Sequence, residues 1–180
     1  MKILNIILAA AVCITFVSCQ EKVSDENIRK ISSELSMHQK EYEGIKEVYK
    51  ESALKRDLSR LNFNKKIKGI GKAQNDVEIK NEINALSKQY TDLQRAQQQH
   101  TVDIKSVLDS CSAFVPKLNK SIHSDEEAMD EWLKLNTAYE IEANGFYRTD
   151  KQLGICEIQF SKILAKVKEK YTAVKKGKEK

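Results

Sequence analysis

Apolar residues recur three and four positions apart along most of this chain. Ile28, Ile31, Leu35, His38, Tyr42, Ile45 and Tyr49 form the first such row. That spacing marks one face of an α-helix, here with Ser24 as its cap. The row continues less cleanly through Leu54, Leu58 and Leu61. Gly44 lies inside it and costs about 1 kcal/mol relative to alanine, which the periodicity outweighs. Residues 62–72 read Asn-Phe-Asn-Lys-Lys-Ile-Lys-Gly-Ile-Gly-Lys, and two asparagines with two glycines predict a loop there.

The second row is stricter: Ile79, Ile83, Leu86, Tyr90, Leu93, Gln97, His100, Ile104, Val107, Cys111 and Phe114. It is a heptad seam in which Gln97 and His100 are polar members that fix register at a cost in stability. A local break near Thr101 is compatible with them. Pro116 is expected to end this helix, and residues 117–123 to connect it to the next. Ser124-Asp125-Glu126-Glu127 is a capping box with an acidic first turn. It predicts a third helix through Met129, Trp132, Leu133, Asn136, Tyr139 and Ala143, stopping near Asn144-Gly145. Thr149-Asp150-Lys151-Gln152 resembles another capping box, opening a fourth helix through Leu153, Cys156, Phe160, Ile163, Val167, Tyr171 and Val174. The expected fold is all-α, an elongated antiparallel helical bundle with two long and two shorter helices.

Composition supports this. One proline and six glycines leave few helix breakers. Nowhere do β-branched and aromatic residues alternate with period two, so no sheet is expected. The 31 basic and 26 acidic residues are mixed along the chain, with a net charge of +5. That is a solvated surface rather than a nucleic-acid-binding composition.

The chain starts differently. Lys2 precedes the apolar run Ile3 to Ser18, and Cys19 is followed by the polar Gln20-Glu21-Lys22. A basic start, a short apolar stretch and a small residue before the cut predict a secretory signal peptide. Sixteen residues are short for a membrane span of about twenty. The segment Phe16-Val17-Ser18-Cys19 resembles a lipobox, departing at Phe16 where leucine is usual. Cys19 is then the acylated N-terminus, with palmitate among its acyl groups. The expected organisation is a leader at 1–18, a tether at 19–24, a bundle at 25–174 and a basic tail at 175–180.

Removing the leader takes Cys13, and acylation takes Cys19. Cys111 and Cys156 remain, both on apolar seams, in a chain exported to where disulfides persist. A Cys111–Cys156 disulfide is expected, with two buried free thiols as the alternative. It closes a loop of about 45 residues, worth roughly 4 kcal/mol.

No catalytic constellation is legible, so the expected activity is binding rather than catalysis. His38, His100 and His123 are far apart and outside any metal-ligand spacing. Gly69-Ile70-Gly71 lacks the next glycine and the preceding strand of a phosphate loop. No cofactor or metal is implied. Asp125-Glu126-Glu127 is explained by the helix start it occupies. Two segments, Asn64 to Gly69 and Val174 to Glu179, fit a basic pattern associated with heparin. They offer Lys65, Lys66, Lys68, Lys175, Lys176 and Lys178 to a polyanion. The terminal Lys180 presents the lysine carboxylate that plasminogen kringles bind. The stretch from Lys117 to Trp132 joins a proline-led connection to the only tryptophan, a favoured interface anchor. Its candidate partner-binding residues are Lys117, Asn119, Lys120, His123, Asp125, Glu126 and Trp132.

The leader, the early Cys19, the Lys/Asn/Ile/Glu-rich composition and the helical mature part resemble surface lipoproteins of Borrelia spirochaetes. Size and build are most similar to the small factor H-binding lipoproteins of that group. The resemblance implies an outer-membrane, cell-surface location and capture of a host plasma protein, with factor H first, for complement evasion. It implies a binding region in the later half, at Lys117 to Trp132 here. The decorin-binding adhesins are similar helical bundles and imply a glycosaminoglycan or matrix ligand held by lysines. No nucleic-acid partner is implied.

Overall fold

A computed structural model describes residues 22–71, 75–118, 120 and 124–176, with side chains through Tyr171. It contains three long helices: α1 (Asp25–Gly69), α2 (Val77–Leu118) and α3 (Asp125–Lys176). They run up, down and up, and each packs against the other two. The 52 residues of α3 make a rod roughly 78 Å long. The chain forms the all-α bundle that its pattern predicts, with three helices among the described residues where four are expected.

The helix starts follow the capping chemistry. Ser24 is extended (φ −65°, ψ 146°), and its Oγ accepts from the Asn27 N–H at 3.4 Å. Ser124 Oγ accepts from the Glu127 N–H at 3.3 Å. Asp76 Oδ1 accepts from the Ile79 N–H at 3.3 Å.

Of the expected interruptions, those at 62–72 and Pro116 come a few residues later and those at Thr101 and Asn144-Gly145 do not occur, because buried rows run through them. Residues 62–69 continue α1, since Phe63 and Ile67 extend its inner row beyond Arg56. In consequence Leu54, Leu58 and Leu61 are not core residues. They lie on the outer face, 65%, 54% and 65% exposed. Pro116 sits inside the last turn of α2 instead of ending it, between the buried Phe114 and Leu118. No break occurs at Thr101, whose Oγ1 donates to the Gln97 carbonyl at 3.0 Å. The third and fourth predicted helices are one. The row Tyr139, Ala143, Phe146, Thr149, Leu153, Cys156, Phe160 is buried throughout and passes Asn144-Gly145 without a break. Thr149 is therefore a mid-helix core residue, not a cap.

Two apolar cores follow one another along the bundle. One gathers Ile31, Leu35, Ile45, Ile104, Cys111, Phe114, Trp132, Tyr139 and Phe146. The other gathers Phe63, Ile67, Ile79, Tyr90, Leu153, Cys156, Phe160 and Val167. This division overturns the expected disulfide. Cys111 and Cys156 are buried free thiols in different cores. Cys111 packs near the start of α3, roughly 30 Å along the axis from Cys156, far beyond the ~7 Å between Cα atoms that a disulfide spans. Burial raises the pKa of both thiols.

Between the cores lies a polar belt. The Arg56 guanidinium donates to Gln97 Oε1 at 3.2 Å, to Ser52 Oγ at 3.2 Å and to Asp150 Oδ1 at 2.7 Å. Gln97 Nε2 donates to the same Asp150 oxygen at 2.8 Å. One residue from each helix thus meets at a single level, which sets the register of all three.

Candidate functional site

The stretch around Trp132 builds one end of the bundle. Trp132 is 2% exposed, its Nε1 donates to Glu34 Oε2, and its ring stacks 6.4 Å from that of Phe114. The His38 ring stacks 4.0 Å from that of Tyr139, and its Nε2 is 2.6 Å from Asn136 Oδ1. Tyr139 Oη donates to Glu41 at 3.0 Å; burial, then that carboxylate, push the phenol pKa up. Trp132 is therefore a core residue rather than a free anchor. Asp125 is also committed. Its Oδ1 accepts from the Ser24 N–H at 2.7 Å, which holds the carboxyl below the usual carboxylate range. Lys117, Lys120 and Glu126 are exposed. Asn119 and His123, like Cys19, lie outside the described residues.

The Ser24–Asp125 bond fixes which end is which. The entry to α1 and the connection from α2 to α3 share one end, with Val23 buried in the same core as Leu118 and Ala128. The close of α1 and the close of α3 share the other, roughly 65 Å away. There Asp76 accepts from Lys170 Nζ at 2.7 Å and Tyr171 Oη at 2.6 Å. These donors hold its carboxyl well below the usual range.

Both predicted lysine segments come to this far end. Lys65, Lys66 and Lys68 are exposed on the last turns of α1, and the backbone of α3 reaches Lys175 and Lys176. Lys178 lies outside the described residues. The segment at 64–69 is helix, not the expected loop, so neighbouring lysines are turned about 100° apart. Lys66 faces α3, whereas Lys65 and Lys68 face outward.

Beside Lys66 an open groove of about 430 Å³ runs between α1 and α3. Lys55 and Lys66 rim it, Ser59, Asn62 and Ser161 give it hydroxyl and amide groups, and Leu58, Phe63, Phe160 and Leu164 supply apolar surface. Cations, short polar groups and an aromatic floor suit an anionic, hydroxylated ligand such as a sulfated sugar. Sequence reading missed Lys55, Ser59 and Asn62. Their signal is a polar row that reaches Lys66 at spacings of four, three and four. A solvated helix face has the same spacing, and only the packing of α3 beside it makes a groove.

Among the described residues, no group of three or more histidine, cysteine, aspartate or glutamate side chains can hold a metal ion. No described helix is long and apolar enough to cross a membrane. Comparison with protein-family models, curated proteins and solved structures finds no match.

Proposed function

We propose that this chain is a lipid-anchored bacterial surface protein that binds a host sulfated polysaccharide through the groove between α1 and α3. The observation that supports the reading is where that groove lies. A lipid on Cys19 holds the Ser24–Asp125 end, because only Gln20 to Val23 separate it from α1 at about 3.5 Å per residue. The rod then carries Lys55, Lys66 and the end of α3 outward, away from the membrane. The affinity comes from counterion release by lysines, with the groove's hydroxyl and amide groups selecting for sugar.

A second reading is capture of host factor H by the opposite end. Lys117, Lys120 and Glu126 are exposed there and favour it. One experiment separates the two. The chain from Gln20 to Lys180, which spans all three helices, is passed over heparin and, separately, immobilised in human serum. Retention on heparin that is lost by about 0.3 M salt and by Lys55→Gln with Lys66→Gln supports the polysaccharide. Factor H retained equally by parent and variant supports the second reading. Retention of neither ligand overturns both.

A further inference from the structure

The outer face of α1 carries a row that neither core uses. At heptad spacing it reads Glu47, Glu51, Leu54, Leu58, Leu61, Lys65, Lys68, and every member is exposed. The three leucines are 65%, 54% and 65% exposed. Spacing of four and three puts them on one line, the a/d seam of a helix that pairs with another helix. Among the described residues no helix covers that line: α2 and α3 pack on α1 through Arg56, Phe63 and Ile67, and α3 reaches only the edge of the row, at the groove beside Leu58.

The charges at its two ends identify the partner. Two glutamates stand before the leucines and two lysines after them. Read backwards, the row is its own electrostatic complement. A second copy laid antiparallel, with a twofold axis near Leu58, sets leucines on leucines and the glutamate end of each copy on the lysine end of the other. A parallel copy sets Glu51 on Glu51 and Lys65 on Lys65, which is repulsive. Glu51 makes only a 3.6 Å contact to Lys55 within its own helix, and both side chains are more than two-thirds exposed. A twofold axis requires one self-complementary patch, and this row meets that requirement.

We infer that α1 is a homodimerisation surface, pairing with a second copy of this chain as an antiparallel helix pair centred on Leu58. The inference does not rest on the ligand proposed above, but Leu58 also lines that groove, so a ligand seated there and a second copy compete for it. The paired length, residues 47–68, is roughly 33 Å. Three leucines a side make an interface smaller than the ~800 Å² per partner of standard stable complexes. The pairing is accordingly weak and reversible in dilute solution, and favoured where copies are crowded.

Cysteine crosslinking in the full chain with Cys13 and Cys19 replaced by serine tests this, since Cys111 and Cys156 are buried and that parent supplies the background. Oxidised Leu58→Cys is expected to give a covalent dimer several-fold above the parent. Mixed Leu54→Cys and Leu61→Cys chains are expected to crosslink more than Leu54→Cys alone. Glu51→Lys is expected to cut the Leu58→Cys dimer several-fold, and adding Lys65→Glu to restore it. All three sites are exposed, and circular dichroism confirms that each variant stays helical. Leu58→Cys at parent level overturns the dimer. Stronger crosslinking of Leu54→Cys to itself than to Leu61→Cys overturns the antiparallel arrangement. Indifference to Glu51→Lys overturns the charge pairing.

Discussion

The imidazole of His100 occupies the space that a side chain at position 145 would fill. A Cβ on Gly145 would lie within 2.8 Å of both ring nitrogens. Glu142, one turn away on α3, holds the ring by accepting from Nδ1 at 2.7 Å. Gly145 is thus a point of close helix approach, although in the sequence it reads as a helix stop.

That contact gives a substitution whose sign depends on its neighbour. Alanine in place of glycine inside a helix gains about 1 kcal/mol in propensity. In the parent chain the gain is offset by displacing His100 from Glu142 and from its packing, which costs roughly 1–3 kcal/mol. Gly145→Ala is expected to be destabilising by about 1 kcal/mol alone and stabilising by about as much in a His100→Ala background. Urea unfolding of the four members of the cycle measures it. The same sign in both backgrounds would refute the close-approach role.

The helices were legible wherever one apolar row ran unbroken, as from Ile79 to Phe114. Two kinds of residue misled. Asparagine and glycine at 144–145 and asparagine at 62 and 64 signal local stops, but Phe146 and Phe63 bury enough surface to carry the helices onward, and only the glycines at 69 and 71 mark a real end. Leucines at 54, 58 and 61 signal core, yet Arg56 and Phe63 take the inner positions. Arg56 is a buried charge whose partners, Gln97 and Asp150, come from two other helices. Nothing local in the sequence pairs them. The same lack of long-range information made Cys111 and Cys156 look like a pair.

Arg56 is 6% exposed and Gln97 2%, so the belt tolerates loss of a member poorly. Arg56→Ala is expected to cost about 3 kcal/mol, because Asp150 and Gln97 lose their donor and a void forms. Gln97→Leu on top of Arg56→Ala is expected to cost less than Gln97→Leu alone. Chemical denaturation of the single and double variants reads the coupling. Additive costs would mean that the belt is not a unit.

Tyr90 is buried, and its Oη has no hydrogen-bond partner among the described residues. Burial, more than the nearby Glu157, raises its pKa to about 12, and Arg60 lies 4.9 Å from the ring centroid. Tyr90→Phe removes an unsatisfied hydroxyl and is expected to stabilise the chain by about 1 kcal/mol. A raised pKa contributes stability that is complete below the unfolded value of about 10 and is lost as pH climbs toward 12. Thermal unfolding of the parent should therefore shift downward above pH 10, and less steeply in Tyr90→Phe. An equal slope in both would place the alkaline loss elsewhere, with Tyr139 next in line.

Acid acts on the two ends of the rod. The Asp76 carboxyl is held down by donors from Lys170 and Tyr171, and that of Asp125 by the Ser24 and Asn27 groups. A depressed pKa contributes stability that is present above the unfolded value of about 4 and lost as pH falls toward the folded one. Asp76 ties α3 to the start of α2, and Asp125 ties the entry of α1 to the start of α3. Acidification below pH 4 is thus expected to release both ends before the central cores. Hydrogen exchange should show protection lost first near residues 76–80 and 24–28. Asp76→Asn is expected to produce the first loss already at neutral pH, while leaving the second to appear only in acid. Simultaneous loss of protection along the whole chain would mean that neither carboxylate is a local fastening.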